Sequence, residues 1–301
     1  MKIAVTGAFS YSGKYITRRL LGRGADVITL TNHPNRPDPF NGRVSAFPLA
    51  FTDTPSLTSS LRGVEILVNT YWVRFDKATN TQPAAVENTR CLVAAAVSAG
   101  VKRIVHISIT NPSPDSPLPY FWGKAANENT VKDSGLSYAI LRPTVLFGAE
   151  DILINNIAWL LRRFPVFALP GDGTYRLQPV FVDDLAALAV EAVFERGDST
   201  RDAVGPDIFT FREMVELIGS NVGVTRRFLQ TPPRLALIAA QLLGVLLRDV
   251  MLTPEEMKGL MANLLVSRNP PLCKTRLGDW LEENRATVGM NYASELKRHF
   301  D

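Results

Sequence analysis

Cysteine and histidine are scarce in this 301-residue chain, which has two of the first (Cys91, Cys273) and three of the second (His33, His106, His299). The cysteines lie far apart and form no CxxC, which argues against a disulfide framework or a paired thiol redox site. Cys91 falls in the apolar pattern of a helix and is expected as a buried thiol. The histidines have no metal-ligand spacing, so no structural metal is expected. Basic runs are missing too. Lys and Arg number 33 against 29 Asp and Glu, a formal charge of +4. They are scattered, so nothing calls for nucleic acid. Long apolar runs are absent. The longest, Leu235 to Leu247, contains Gln241 and Gly244 and is too short to span a bilayer. With Lys2-Ile3-Ala4-Val5 opening directly into a strand pattern, no leader is expected, and a reduced, cytoplasmic setting fits.

Alternating strand and helix patterns fill the first half. Strands are predicted over Ile3–Val5, Asp26–Leu30, Val44–Leu49, Val64–Asn69, Arg103–Ser108 and Leu136–Leu141. Helices are predicted over Lys14–Leu21, Ser56–Leu61, Ala84–Ala99 and Tyr120–Lys132. Short connections and strands that are apolar on both sides call for parallel pairing, right-handed crossovers and helices on both faces. The expected fold is α/β, a doubly wound parallel sheet over residues 1–150. Residues 151–301 then form a smaller, mostly helical substrate region partly interleaved with it. Thr253-Pro254-Glu255-Glu256 starts a capped helix there. The apolar helix between Arg234 and Arg248 is expected to be buried over a substrate cleft, with docking to a membrane surface or a partner as the alternative.

One turn carries the first chemical signal. In TGAFSYSG, Thr6 to Gly13, two glycines bracket the passage from the first strand to the first helix. Gly7 can take the backbone geometry of a tight turn, and Gly13 lets the helix lie close to the strand. The helix amino end then offers N–H groups and a dipole to a pyrophosphate. A plain steric turn is the competing reading. A second signal is Tyr120-Phe-Trp-Gly-Lys124, which puts a tyrosine and a lysine one helical turn apart. It follows the fifth strand, and ligands of such sheets bind off the carboxyl ends of the strands.

The turn resembles the TGxxGxxG motif of the extended and atypical short-chain dehydrogenase/reductase superfamily, with Ser10 in place of the middle glycine. NTRCLVAAAVSAGVKRIVHIS, YFWGKAANE, LRPTVLFG, QPVFVDDLAALAV and GPDIFTFREMVELI are similar to later segments of that superfamily, in the same order, over about residues 1–220. LTPEEMKGLMANLL more loosely resembles the dinucleotide-binding accessory subunit of respiratory complex I. The resemblance implies a Rossmann fold and a nicotinamide dinucleotide, held by Gly7, Phe9, Ser10, Tyr11, Ser12 and Gly13 in the turn. It adds Asn32, Arg36, Asn69, Lys124 and Pro143 to the cofactor set. Its catalytic group maps to Ser108, Tyr120 and Lys124, with Asn88 as a structural or relay position and Thr110 as a reserve for Ser108. Tyrosine would be the acid/base; free, it titrates near pH 10, and an adjacent ammonium lowers that value.

The position after the second strand holds Thr31-Asn32-His33, with no carboxylate to repel a 2′-phosphate, and Arg36 can pair with one. NADP is therefore expected, with NAD as the alternative. The adenine-contacting acid expected after the third strand is replaced by Ala50-Phe51, with Asp53 displaced. His106 is expected as a satisfied core group, Arg142 as structural, and Arg162-Arg163 as a solvated helix face. The predicted function is NAD(P)-dependent hydride and proton transfer at a carbonyl or carbinol of a small molecule, as an oxidoreductase or an epimerase/dehydratase-type enzyme. The rival is a non-catalytic dinucleotide-binding module. The sequence sets neither the substrate nor the oligomeric state.

Overall fold

The computed structural model describes all residues except Pro34, Asn35 and Asp301, with the backbone alone for His299 and Phe300. The chain runs β1 (Lys2–Thr6), α1 (Tyr11–Gly22), β2 (Asp26–Thr31), β3 (Ser45–Pro48), α2 (Thr54–Ser60) and β4 (Ile66–Asn69). It continues through α3 (Gln82–Ser98), β5 (Arg103–Ile107), α4 (Pro119–Lys132) and β6 (Ser137–Pro143). Next come β7 (Leu146–Phe147), α5 (Leu153–Arg163), β8 (Val166–Pro170), β9 (Arg176–Leu177), β10 (Val180–Phe181), α6 (Val182–Phe194) and β11 (Ser199–Ala203). The remainder is β12 (Phe209–Thr210), α7 (Phe211–Asn221), β13 (Arg227–Thr231), α8 (Pro233–Leu247), α9 (Pro254–Met261), α10 (Leu277–Asn284) and α11 (Glu295–Phe300).

Two compact units emerge, one of residues 1–143 with 182–203, the other of 144–181 with 204–301. In the first, seven strands pair in parallel in the order β11-β6-β5-β4-β1-β2-β3. The doubly wound sheet read from the sequence is present, with a seventh strand, β11, that the sequence pattern did not show. The order reverses between β1 and β4, which is the switch point where ligands of such sheets bind. α2, α3 and α4 cover one face through Leu57, Leu61, Leu92, Val93 and Val131 against Ala4, Leu67, Ile104 and Ile140 of the sheet. α1 and α6 pack together, joined by a two-pronged ion pair from Arg19 to Asp183 at 2.7 Å on each prong.

The second unit has its own core of Phe147, Ile154, Leu161, Leu169, Met214, Ile218, Trp280 and Leu281. Short pairs β7–β10, β8–β13 and β9–β12 accompany its helices. Thr253 caps α9 in a reciprocal box with Glu256, as the sequence indicated. Arg162 and Arg163, expected on a solvated face, instead donate to backbone carbonyls of Val288, Arg285, Gly289 and Met290, tying α5 to the chain after α10. Cys91, expected buried, is half-exposed on α3; Cys273 is buried, and both are free thiols.

Arg103 shows how the first unit is closed. Its buried guanidinium donates to the carbonyls of Ala192 and Gly197 and to the Ser137 hydroxyl, at 2.9, 2.9 and 2.5 Å. It thereby ties β5 to the end of α6 and the turn before β11. Arg103→Ala leaves those carbonyls without a donor and should lower the unfolding free energy by about 3 kcal/mol. Urea unfolding measures it, and an unchanged midpoint contradicts this role.

Candidate cofactor and catalytic site

The carboxyl ends of β1 and β4 are laced together by short polar side chains. The Thr6 hydroxyl donates to Asn69 Oδ1 at 3.1 Å and accepts from the backbone N–H of Thr70 and Tyr71. The Thr70 hydroxyl returns a bond to the Thr6 carbonyl at 2.6 Å. Asn69 is fully buried: Oδ1 also accepts from Tyr71 N–H, and Nδ2 meets His106 Nδ1 at 3.1 Å. With Oδ1 accepting twice, Nδ2 must donate, so His106 carries its proton on Nε2. That nitrogen is buried without a partner, a departure from the satisfied core group expected there. Burial, reinforced by the nearby Lys124 ammonium, pushes the His106 imidazole down to about 3, so it stays neutral.

Gly7 leaves β1 with φ +66°, a conformation suited to glycine, and its N–H donates to the Leu30 carbonyl. Gly13 is packed so tightly that an added Cβ would lie inside the contact distance of the Gly7 carbonyl oxygen and carbon. α1 thus starts directly against the end of β1. Ser10 precedes the helix, but its hydroxyl donates to the Gly7 carbonyl at 2.5 Å and caps nothing. The first turn of α1 has no cap from the Ser10 side chain and no acid in it. Those features fit a pyrophosphate: close backbone, N–H groups at a helix start and a favourable dipole. Phe9, Ser10, Tyr11 and Ser12 are half-buried around this turn, with Phe9 6.2 Å from the Phe40 ring.

Asn32 is exposed just beyond β2, and Arg36 is half-buried in the loop that follows. Where an adenine-contacting acid was sought, Phe51 packs against Tyr71 with ring centroids 4.7 Å apart. Asp53 caps α2 through Ser56 N–H, which accounts for its displacement. Asn88 spends its amide on the Tyr71 hydroxyl at 2.8 Å. Pro143 is buried at the end of β6, where its carbonyl accepts both the N–H and the hydroxyl of Thr110.

α4 brings the tyrosine and lysine to one indole. Lys124 Nζ lies 4.9 Å from the Trp72 ring centroid, and the Tyr120 ring meets the same indole edge-on at 5.6 Å. Gly123 makes this possible, because a Cβ there would approach Trp72 Cη2 to 2.5 Å. Trp72 lies in the loop after β4, and the missing side chain in Tyr-Phe-Trp-Gly-Lys was the signal for its seat. Lys124 is 3% exposed and donates to the Ile107 carbonyl at 3.0 Å. Burial lowers its ammonium from the usual lysine range to about 7, against a weaker opposing pull from Glu128.

Ser108 is also 3% exposed and gives its proton to Glu128 at 2.6 Å. Glu128 takes a two-pronged bond from Arg142 at 2.8 and 2.6 Å, and Lys132 stands 3.4 Å away. Burial raises the Glu128 carboxyl, and the bonds from Arg142 and Ser108 outweigh it, so the group is held below its usual value. A serine donating to a carboxylate presents only lone pairs outward. In this arrangement the Ser108 proton is committed to Glu128. Glu128 itself was missed, because nothing in the sequence spacing pairs it with Arg142. Among the described residues no group of His, Cys, Asp and Glu could hold a metal ion.

The model of an NAD(P)H-binding family matches residues 7–154. Residues 7–154, the stretch that carries the glycine turn, α4 and β6, thus match an NAD(P)H-binding family. Mitochondrial NADH dehydrogenase (ubiquinone) 1 alpha subcomplex subunit 9 of Arabidopsis thaliana is 25% identical over 239 residues, 76% of this chain and 60% of that protein. The chain thus spans under two thirds of that relative. The (4-alkanoyl-5-oxo-2,5-dihydrofuran-3-yl)methyl phosphate reductase of Streptomyces griseus is 28% identical, covering 75% of this chain and 76% of its own. Among solved structures, the NADPH-dependent quinone oxidoreductase QOR2 of Escherichia coli, complexed with NADPH, superposes with a TM-score of 0.72. It is 20% identical and covers 99% of this chain and 100% of its own. Its likeness is one of fold.

This NAD(P)-binding chain keeps a buried amine whose protonation opposes folding. The folded value near 7 lies below the unfolded lysine value of about 10.4, so the unfolded state binds more protons between them. Stability attributable to Lys124 is therefore lowest below pH 7 and rises above it. In the cofactor-free protein, the stability of wild type relative to Lys124→Met should climb by about 1.4 kcal/mol per pH unit from pH 7 to 9. Denaturant unfolding across that range checks it; a flat difference means the amine is charged when folded.

Proposed function

We propose that the chain is an NADP(H)-using oxidoreductase that reduces a small carbonyl compound or runs the reverse oxidation. The observation that carries this reading is the convergence of Tyr120 and Lys124 on one indole, on the helix that follows β5. Bound, the nicotinamide supplies or accepts the hydride. The chain's own residues would manage the proton and the charge. The Tyr120 hydroxyl gives its proton to the carbonyl oxygen as that oxygen becomes an alcohol, and the phenolate left behind is favoured by the Lys124 ammonium. An amine that titrates about 7 can take its charge when a phenolate or a ribose oxygen needs it. Ser108, with its proton on Glu128, would accept from a hydroxyl of the substrate. Gly7 and Gly13 hold the pyrophosphate end, and Arg36 would face the 2′-phosphate. A quinone is the first acceptor to try, because the NADPH-dependent neighbour with the same fold is a quinone oxidoreductase.

A second reading has its own support. Ser108 and Lys124 are each 3% exposed and spend their polar atoms on Glu128 and Ile107, as structural groups do. A module that binds the dinucleotide without turning it over would look the same, and a curated relative is a subunit of a larger dehydrogenase.

Two measurements separate the readings. Tyr120→Phe keeps the ring against Trp72, so NADPH affinity should change by less than about threefold. NADPH oxidation with a panel of quinones and aldehydes should fall by about two to four orders of magnitude. Wild-type turnover in Tyr120→Phe removes the tyrosine from the chemistry and returns the chain to the second reading. Calorimetric titration should show NADP(H) binding more tightly than NAD(H). Arg36→Ala should abolish most of that preference by weakening NADP(H) alone, about tenfold or more. Tighter NAD(H) binding by wild type contradicts the cofactor assignment.

A further inference from the structure

α8 is built inside out. Its fifteen residues bury only Ala236 and Gly244, while Leu235, Ile238, Leu242, Val245 and Leu246 stand 55, 50, 68, 79 and 78% exposed. The burial expected for this helix does not occur: Ala236 and Gly244 face the protein, Leu237, Leu243 and Leu247 are half-buried, and the other large apolar side chains face out. Gly244 shows why that seat takes nothing larger, since a Cβ there would come within 2.7 Å of the Asp249 carbonyl. The exposed apolar stripe runs the length of the helix at roughly helical spacing, about 22 Å at 1.5 Å per residue.

The charges along this stretch of chain are of one sign. From residue 225 to 248 the chain carries Arg226, Arg227, Arg234 and Arg248 and no acid. Arg227, Arg234 and Arg248 are exposed, the last two at the two ends of α8. The first acid after the stretch, Asp249, is withdrawn from the surface. Its carboxylate accepts from the Tyr292 hydroxyl and from the N–H groups of Glu295 and Leu296, which fixes the end of α8 to the start of α11. No described helix is long and apolar enough to cross a membrane. A helix lying in a bilayer interface needs an outward apolar face and cations that reach the headgroups from its ends.

We propose that α8 docks the protein on an anionic lipid surface, its outward face in the acyl boundary and Arg227, Arg234 and Arg248 on the phosphates. A protein groove would take the apolar stripe as well, but arginines at both ends with no acid between them match a sheet of negative headgroups. Binding rests on α8 and the arginines that flank it and is independent of the catalytic reading.

The test is co-sedimentation of the full chain with vesicles of phosphatidylcholine alone or with 30% phosphatidylglycerol (about physiological anionic content) at low and high salt. Binding is expected to the anionic vesicles, and to weaken as salt rises. Arg234→Gln with Arg248→Gln should weaken partitioning by about fivefold for each arginine. Leu242→Glu with Val245→Glu changes exposed positions only and should abolish vesicle binding while leaving NADPH affinity and the melting temperature unchanged. Wild type that ignores the vesicles overturns the proposal. So does vesicle binding that survives the double glutamate variant. If the double glutamate variant instead splits a wild-type dimer that does not bind vesicles, the face belongs to a second copy and the lipid assignment is wrong.

Discussion

The structure turns on the contact between Gly13 and the backbone of Gly7. No side chain fits between them, so α1 begins hard against the end of β1 and its first amides stand beside the switch point of the sheet. What surrounds that contact serves to hold it. Thr29 accepts from Ala8 N–H and donates to the Val5 carbonyl; Thr6 and Thr70 exchange bonds across the adjoining strand ends. These are short, buried hydrogen bonds of small side chains, which fix backbone position without filling the space above it.

The second constraint is electrical. Lys124, His106, Glu128 and Arg142 share a buried neighbourhood, and the charges sort themselves by pairing. Glu128 is held ionised by Arg142, whereas Lys124 gains only a carbonyl and an indole face and is pushed down towards 7. His106, next to that amine, stays neutral. Trp72 closes over the amine and shields it from water. The same indole touches Tyr120, so whatever binds beside the tyrosine also meets the group that controls the lysine.

Most of the sheet was legible in the sequence because its central strands are apolar on both sides, and Ile104-Val105 or Leu67-Val68 can sit nowhere else. β11 was not, because an edge strand reading Ser-Thr-Arg-Asp-Ala carries polar groups that mask the pattern. The glycine turn and the Tyr-Lys pair were legible as local spacings. Their partners were not: Glu128 reaches Arg142 and Ser108 only once β5, α4 and β6 are assembled, and Asn69 turns inward because Thr6 and His106 claim its amide. α8 misled for a physical reason. An apolar run is ordinarily taken to be buried, and only the seating of Ala236 and Gly244 reveals that most of the larger side chains point outward.

Hydrogen exchange of the full chain with and without NADPH tests the central claim, that the turn between β1 and α1 is the cofactor's cradle beside Trp72. The account predicts slower exchange on NADPH binding at residues 7–14 and 70–74, with α8 unaffected. NADPH binding that leaves both segments exchanging as in the free protein would contradict it.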